Sequence, residues 1–174
     1  MTRTRLAAAA LALVAFGAAA PAMAQSATGQ GSITVIRPLT VAKNADLRFG
    51  TVVRPSEGAG SVAVSTAGAR TVAGGVAALS SGDAPQAAQF TIDGEGGQSV
   101  SVNVPSSFTM SNGSDSLTVT TTNSLGAAAS AQTLSNSLGS AGSLNVRVGG
   151  TVPVSATAAT GVYTGTFTVS AAYN

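Results

Sequence analysis

The sequence predicts an all-β protein, an antiparallel sandwich or barrel, on three observations. Apolar residues recur at every second position in many short runs. Gly, Asn, Asp and Ser clusters punctuate those runs at roughly ten-residue spacing. Lys, Glu and Gln, the usual residues of surface helices, form no helical runs, whereas Val, Thr and Ser abound.

The N-terminus stands apart. Arg3 and Arg5 precede the Ala-rich apolar stretch Leu6 to Ala20, which is 15 residues long. Pro21 follows, and Ala22-Met23-Ala24 fits the small-x-small cleavage rule. Residues 1–24 therefore read as a secretory signal peptide, too short in its apolar part for a span of about 20 residues. Cleavage leaves residues 25–174 as one domain, with a short extension at 25–31. It also removes two of the eight basic residues, so the remaining chain is formally neutral.

The alternating runs follow in order. Ile33 and Val35 come first. Leu47, Phe49, Thr51 and Val53 share one face of a second run. Val62 and Val64 form a third, then Phe90 and Ile92, then Val100, Val102 and Val104. Leu117 and Val119 lead into a threonine triplet. Leu144, Val146 and Val148 precede Gly149-Gly150, after which Val152 and Val154 resume. Turns are expected at Ser56-Glu57-Gly58, Gly74-Gly75, Ser81-Gly82-Asp83 and Asn112-Gly113, and a hairpin turn at Asp93-Gly94-Glu95-Gly96-Gly97. Leu125 to Gly142 is Ala-, Ser- and Gly-rich and reads as a long loop, with one helical turn allowed by Leu134 and Leu138. The last run, Gly161 to Asn174, alternates most cleanly. Its odd positions are Gly, Tyr, Gly, Phe, Val, Ala and Tyr, and its even positions are mostly Thr and Ser.

Composition narrows the function. With no His and no Cys there is no His-based triad, no thiol nucleophile, no disulfide and no ordinary zinc site. Eight bases and six acids cannot build a dense nucleic-acid-binding face. Asp93 and Glu95 among glycines suggest calcium, but two carboxylates fall short of the six to eight oxygens calcium takes, and solvated turn acids explain them better. Asp46, Glu57, Asp83 and Asp115 are scattered, with no Trp to serve as a sugar platform. Gly94-Glu95-Gly96-Gly97 is followed by no Lys and is no phosphate loop. Asn112-Gly113-Ser114 matches a glycosylation sequon, and a tight turn explains it equally well. The expectation is a non-enzymatic chain with no cofactor and no metal.

Two resemblances add to this reading. Pro38-Leu39-Thr40, Leu47-Arg48-Phe49-Gly50, Val148-Gly149-Gly150-Thr151 and Tyr163 to Val169 resemble a bacterial family known only as domain of unknown function 4402. That family is similar in turn to the common-pilus (Mat/Ecp) type of subunit. Tyr173 is penultimate and Gly161 is 14th from the end, and in both respects the final strand resembles that of chaperone–usher pilins.

The pilin resemblance implies an immunoglobulin-like antiparallel β-sandwich lacking one strand, filled first by a periplasmic chaperone and then by the N-terminal segment of an identical subunit at an outer-membrane usher. It implies that Gly161, Tyr163, Gly165, Phe167, Val169, Ala171 and Tyr173 edge the acceptor groove. Ala27, Gly29, Gly31, Ile33 and Val35 would be the donor face, although the first half of that segment reads equally as an unordered terminus. The chain would reach the periplasm and then the cell surface, with no membrane span after cleavage. The alternative is a monomeric secreted or cell-surface binding module for adhesion or matrix, with Leu125 to Gly142 as its binding loop.

Overall fold

A computed structural model describes residues 23–174. The chain falls into two units, Met1–Thr34 and Val35–Asn174. Most of the expected signal peptide lies outside the described residues. Of the first unit, residues 23–34 are described. They are exposed and form no strand.

The second unit is an antiparallel β-sandwich, and no helix occurs among the described residues. Its strands are β1 (Thr40–Ala45), β2 (Val52–Val53), β3 (Ala59–Val64), β4 (Arg70–Ala73), β5 (Ala77–Ala78) and β6 (Ala88–Glu95). They continue as β7 (Ser99–Asn103), β8 (Ser107–Ser111), β9 (Ser116–Asn123), β10 (Ala129–Thr133), β11 (Ala141–Ser155) and β12 (Ser170–Tyr173).

Strand β11 is the axis. Its first half, Ala141 to Val148, pairs with β6, and β6 pairs with β1. Its second half, Gly150 to Ser155, pairs with β3, which pairs with β4. Across its other edge Val148 to Thr151 pair with β9, and β9 pairs with β8. Three neighbours therefore converge at Gly149-Gly150. A Cβ on Gly149 would strike the Val64 carbonyl, and one on Gly150 would sit 2.9 Å from a Val119 methyl. Only glycine lets a strand be flanked this tightly on both edges.

A second layer runs β10-β7-β12. Between the layers lie Phe90, Ile92, Val146 and Val148 from one side and Val100 and Val102 from the other, all buried. A second cluster of Val62, Val119, Val152 and Val154 fills the β3–β9–β11 end, roofed by Leu47, Phe49 and Val52. Burying valine and isoleucine side chains is worth about 1.5–3 kcal/mol each. The alternation read from the sequence therefore places its apolar set inward.

Several expectations change. Ile33 and Val35 stand exposed at 87% and 81% and belong to no strand. The first strand is instead β1, an edge strand whose residues are mostly exposed. The Leu47 run forms no continuous strand: only Arg48 bridges to Gln86 before the two-residue β2. Asp93 to Gly97 is not a hairpin, because β6 and β7 belong to different layers and the turn is a corner between them. Leu125 to Gly142 is not one loop and has no helical turn. It contains β10, after which Leu134 is buried while Leu138 is 57% exposed.

Candidate functional site

The C-terminal run Gly161 to Asn174 keeps its expected alternation and loses its expected continuity. Tyr163, Phe167, Ala171 and Tyr173 are half-buried and Val169 is buried, while the Thr and Ser between them are exposed. Phe167 stacks on Phe108 at 4.9 Å between ring centroids and meets Phe90 edge-on at 5.9 Å. Backbone pairing, however, is confined to two places. Thr164 exchanges both hydrogen bonds with Ser111 of β8, and Ser170 to Tyr173 form β12 against β7. Between them, the backbone groups of Gly165 to Val169 have no hydrogen-bond partner among the described residues. The segment leaves the edge of one layer and joins the edge of the other.

This crossing leaves an open seam. Among the described residues β1 pairs only with β6, and β12 only with β7, so these two neighbours face each other without a ladder. Beside the unpaired segment lies a cavity of about 250 Å³, between Lys43, Asp46 and Leu47 on one wall and Tyr163 to Phe167 on the other. Its apolar floor is Ala88, Phe90, Phe108 and Met110. A second cavity of about 530 Å³ continues past Leu47, Met110, Tyr163 and Thr164, which line both. Its floor is Val62, Leu117, Val152 and Val154, and Phe49 and Val162 stand at its rim. Val162 is 83% exposed and Val41, on β1, 38%. Together the cavities make an apolar trough along an unpaired backbone, the two features that a β-strand needs of a docking site.

Polar contacts pin the C-terminal run near both of its ends. At the near end the Tyr163 hydroxyl lies 2.9 Å from Asp115 Oδ2 and 2.8 Å from the Ala159 carbonyl. The Ala159 amide donates to the same Asp115 oxygen at 3.0 Å. The Ala159 amide, then the Tyr163 hydroxyl, hold the Asp115 carboxyl below its ordinary range. Burial, then the neighbouring carboxylate, push the Tyr163 phenol up. At the far end the Tyr173 hydroxyl donates to the Arg37 carbonyl at 3.0 Å and accepts from the Glu95 amide at 2.6 Å.

Sequence reasoning named the seven odd positions from Gly161 to Tyr173; in the structure Tyr163, Phe167, Val169, Ala171 and Tyr173 are buried or half-buried, whereas Gly161 and Gly165 are exposed. Sequence reasoning missed the opposite wall, Leu47 and the β1 edge, and the polar anchors Asp115, Arg37 and Glu95. Glu95 is not a solvated turn acid. It is 3% exposed and ion-paired with Arg37 at 3.0 Å. Asp93 is exposed, so the two carboxylates do not converge. Among the described residues no three acids gather in a way that could hold a metal ion. Asn112-Gly113 closes the β8–β9 hairpin, its side-chain oxygen accepting the Ser114 and Asp115 amides.

The fold and the seam define an antiparallel β-sandwich with an apolar trough beside an unpaired segment. The chain belongs to the family described as Domain of unknown function (DUF4402), which matches residues 39–173. Comparison with the curated proteins, and with the solved structures, found no match.

Proposed function

We propose that this chain is a non-enzymatic structural subunit of a bacterial surface filament, exported through the periplasm and assembled by strand complementation. The observation that carries the reading is a complementary pair within one sequence. Among the described residues the backbone of Gly165 to Val169 has no hydrogen-bond partner, and Gly165 to Phe167 line an apolar trough. Residues 26–35 alternate small or apolar residues with polar ones, form no strand and are exposed.

A donor strand from a second copy, presenting Ala27, Gly29, Gly31, Ile33 and Val35, would supply what each lacks. Each ladder hydrogen bond gained is worth about 1 kcal/mol net. Ile33 and Val35, once buried, would add about 1.5–3 kcal/mol each. The contact is head-to-tail, so repetition gives an open filament rather than a closed ring. Before assembly the trough needs a temporary occupant, the role of a periplasmic chaperone, with delivery at an outer-membrane usher.

The competing reading, a monomeric secreted binding module, has less to stand on. Its loop, Leu125 to Gly142, is in part strand β10. Deletion of residues 25–31 separates the two. The filament reading expects a folded chain that no longer assembles, and normal filaments from that variant would remove the donor assignment.

A further inference from the structure

A cluster of side chains closes around Arg37, the residue between exposed Ile36 and the start of the sandwich. The Arg37 amide donates to Glu95 Oε2 at 3.2 Å, and its Nη1 donates to the same oxygen at 3.0 Å. Its Nη2 reaches the Gly139 carbonyl at 3.2 Å. The second Glu95 oxygen accepts the Gly139 amide. The Arg37 carbonyl accepts the Tyr173 hydroxyl, which itself receives the Glu95 amide. Thus both backbone groups of Arg37 are held by side chains rather than by a ladder. Room for the phenol comes from Gly94, where any side chain would collide with it.

Glu95 is the one charged residue buried among the described residues. A buried carboxylate is destabilising unless it is paired and hydrogen-bonded. Here both oxygens are engaged, by an arginine and by two backbone amides. Buried ion pairs seldom add net stability over apolar packing; their best-attested use is to fix one geometry. The geometry fixed here is the point at which the N-terminal segment joins the domain.

We propose that Arg37, Glu95 and Tyr173 form a latch that fastens the root of the N-terminal segment to the β6–β7 corner and to the C-terminal strand, and that acid opens this latch while the sandwich stays folded. Its consequence for assembly, a link between subunits that loosens without unfolding them, rests on the filament reading; the latch itself does not.

The electrostatics agree. The Gly139 amide, and after it the Arg37 amide and guanidinium, hold the Glu95 carboxyl below its ordinary range. The groups that face it are Arg37 from the segment before β1, Tyr173 from β12 and the Gly139 turn before β11; Asp93, two residues back on β6, is exposed. A depressed carboxyl contributes its stabilisation at neutral pH and loses it as pH falls through the folded-state value.

The test is amide hydrogen exchange on the purified chain. At neutral pH Glu95→Gln should lower protection of the Arg37 and Gly139 amides about tenfold or more, and Tyr173→Phe should lower Arg37 protection by a smaller factor, with the β6–β11 ladder unchanged. On acidification of the unaltered chain, Arg37 and Gly139 should lose protection before that ladder does. Unchanged protection in both variants would overturn the latch. So would an acid titration in which Arg37 opens only together with the ladder, and that arm stands even if Glu95→Gln fails to fold. A chain that shows the latch yet forms no filaments would keep this inference and sink the filament reading.

Discussion

Strand β11 and the C-terminal run are near twins in sequence and opposites in structure. Each is about fifteen residues of alternating apolar and polar side chains. Each passes from one part of the sandwich to another. β11 is paired along its whole length, with β6 and then β3 on one edge and β9 on the other. The C-terminal run is paired at Thr164 and along β12, and its middle is held by side chains alone. Alternation therefore reports which face a strand buries. It is silent about who occupies the edges, and the edges are where this molecule has something left to offer.

The contrast can be broken most violently at the β11 crossing. Gly149→Val would push a branched side chain into the Val64 carbonyl and should cost more than about 4 kcal/mol, seen as loss of a cooperative melting transition. The matching change in the C-terminal run is milder. Phe167→Ala removes a half-buried ring stacked on Phe108 and should cost about 2–3 kcal/mol, read as a drop in denaturant midpoint at unchanged slope. If Phe167→Ala proved as damaging as Gly149→Val, the two segments would not differ as described.

The pH dependence sharpens the comparison further, because the Asp115 carboxylate anchors the start of the C-terminal run, whereas the Glu95 carboxylate holds Arg37 and the Gly139 turn before β11. Asp115 and Glu95 are held low, so their contributions are present at neutral pH and fade as acid carries the solution through their folded-state values. Tyr163 is pushed high, so its contribution is complete below the ordinary phenol value of about 10 and fades as alkali passes the folded-state value. Thermal midpoints should therefore be flat through neutrality and fall at both ends. Tyr163→Phe should remove the alkaline decline and leave most of the acid one, since the Ala159 amide still holds Asp115 low. The smallest effect belongs to the outer face: Thr166→Val, on an exposed side chain of the unpaired stretch, should change stability by less than about 0.5 kcal/mol.

Much of this was legible in advance. Val100, Val102, Val146, Val148, Val152 and Val154 lie inward as their spacing requires. Tyr163, Phe167, Val169, Ala171 and Tyr173 turn inward for the same reason. What the sequence concealed was non-local. Glu95 finds Arg37 58 positions away, and Tyr173 reaches Arg37 across 136. No local pattern announces either contact. β10, Ala-Ser-Ala-Gln-Thr, has only its final Thr as a β-branched residue, and it is a strand because β7 offers it an edge. β1 was hidden likewise, since its exposed residues give no periodic signal. The Asp93–Gly97 turn looked like a hairpin because Asp-Gly favours one, but the partners of β6 and β7 turn it into a corner between layers.

The central claim is that Gly165 to Val169 is an acceptor edge awaiting a strand, and hydrogen exchange on those five amides addresses it directly. In the chain alone, those amides that face the trough should exchange close to the unprotected rate, while β11 amides are protected by orders of magnitude. A saturating peptide of residues 25–36 should protect them at least about tenfold and leave β11 unchanged. Protection already present without peptide, or none gained from a peptide that binds, would contradict the claim.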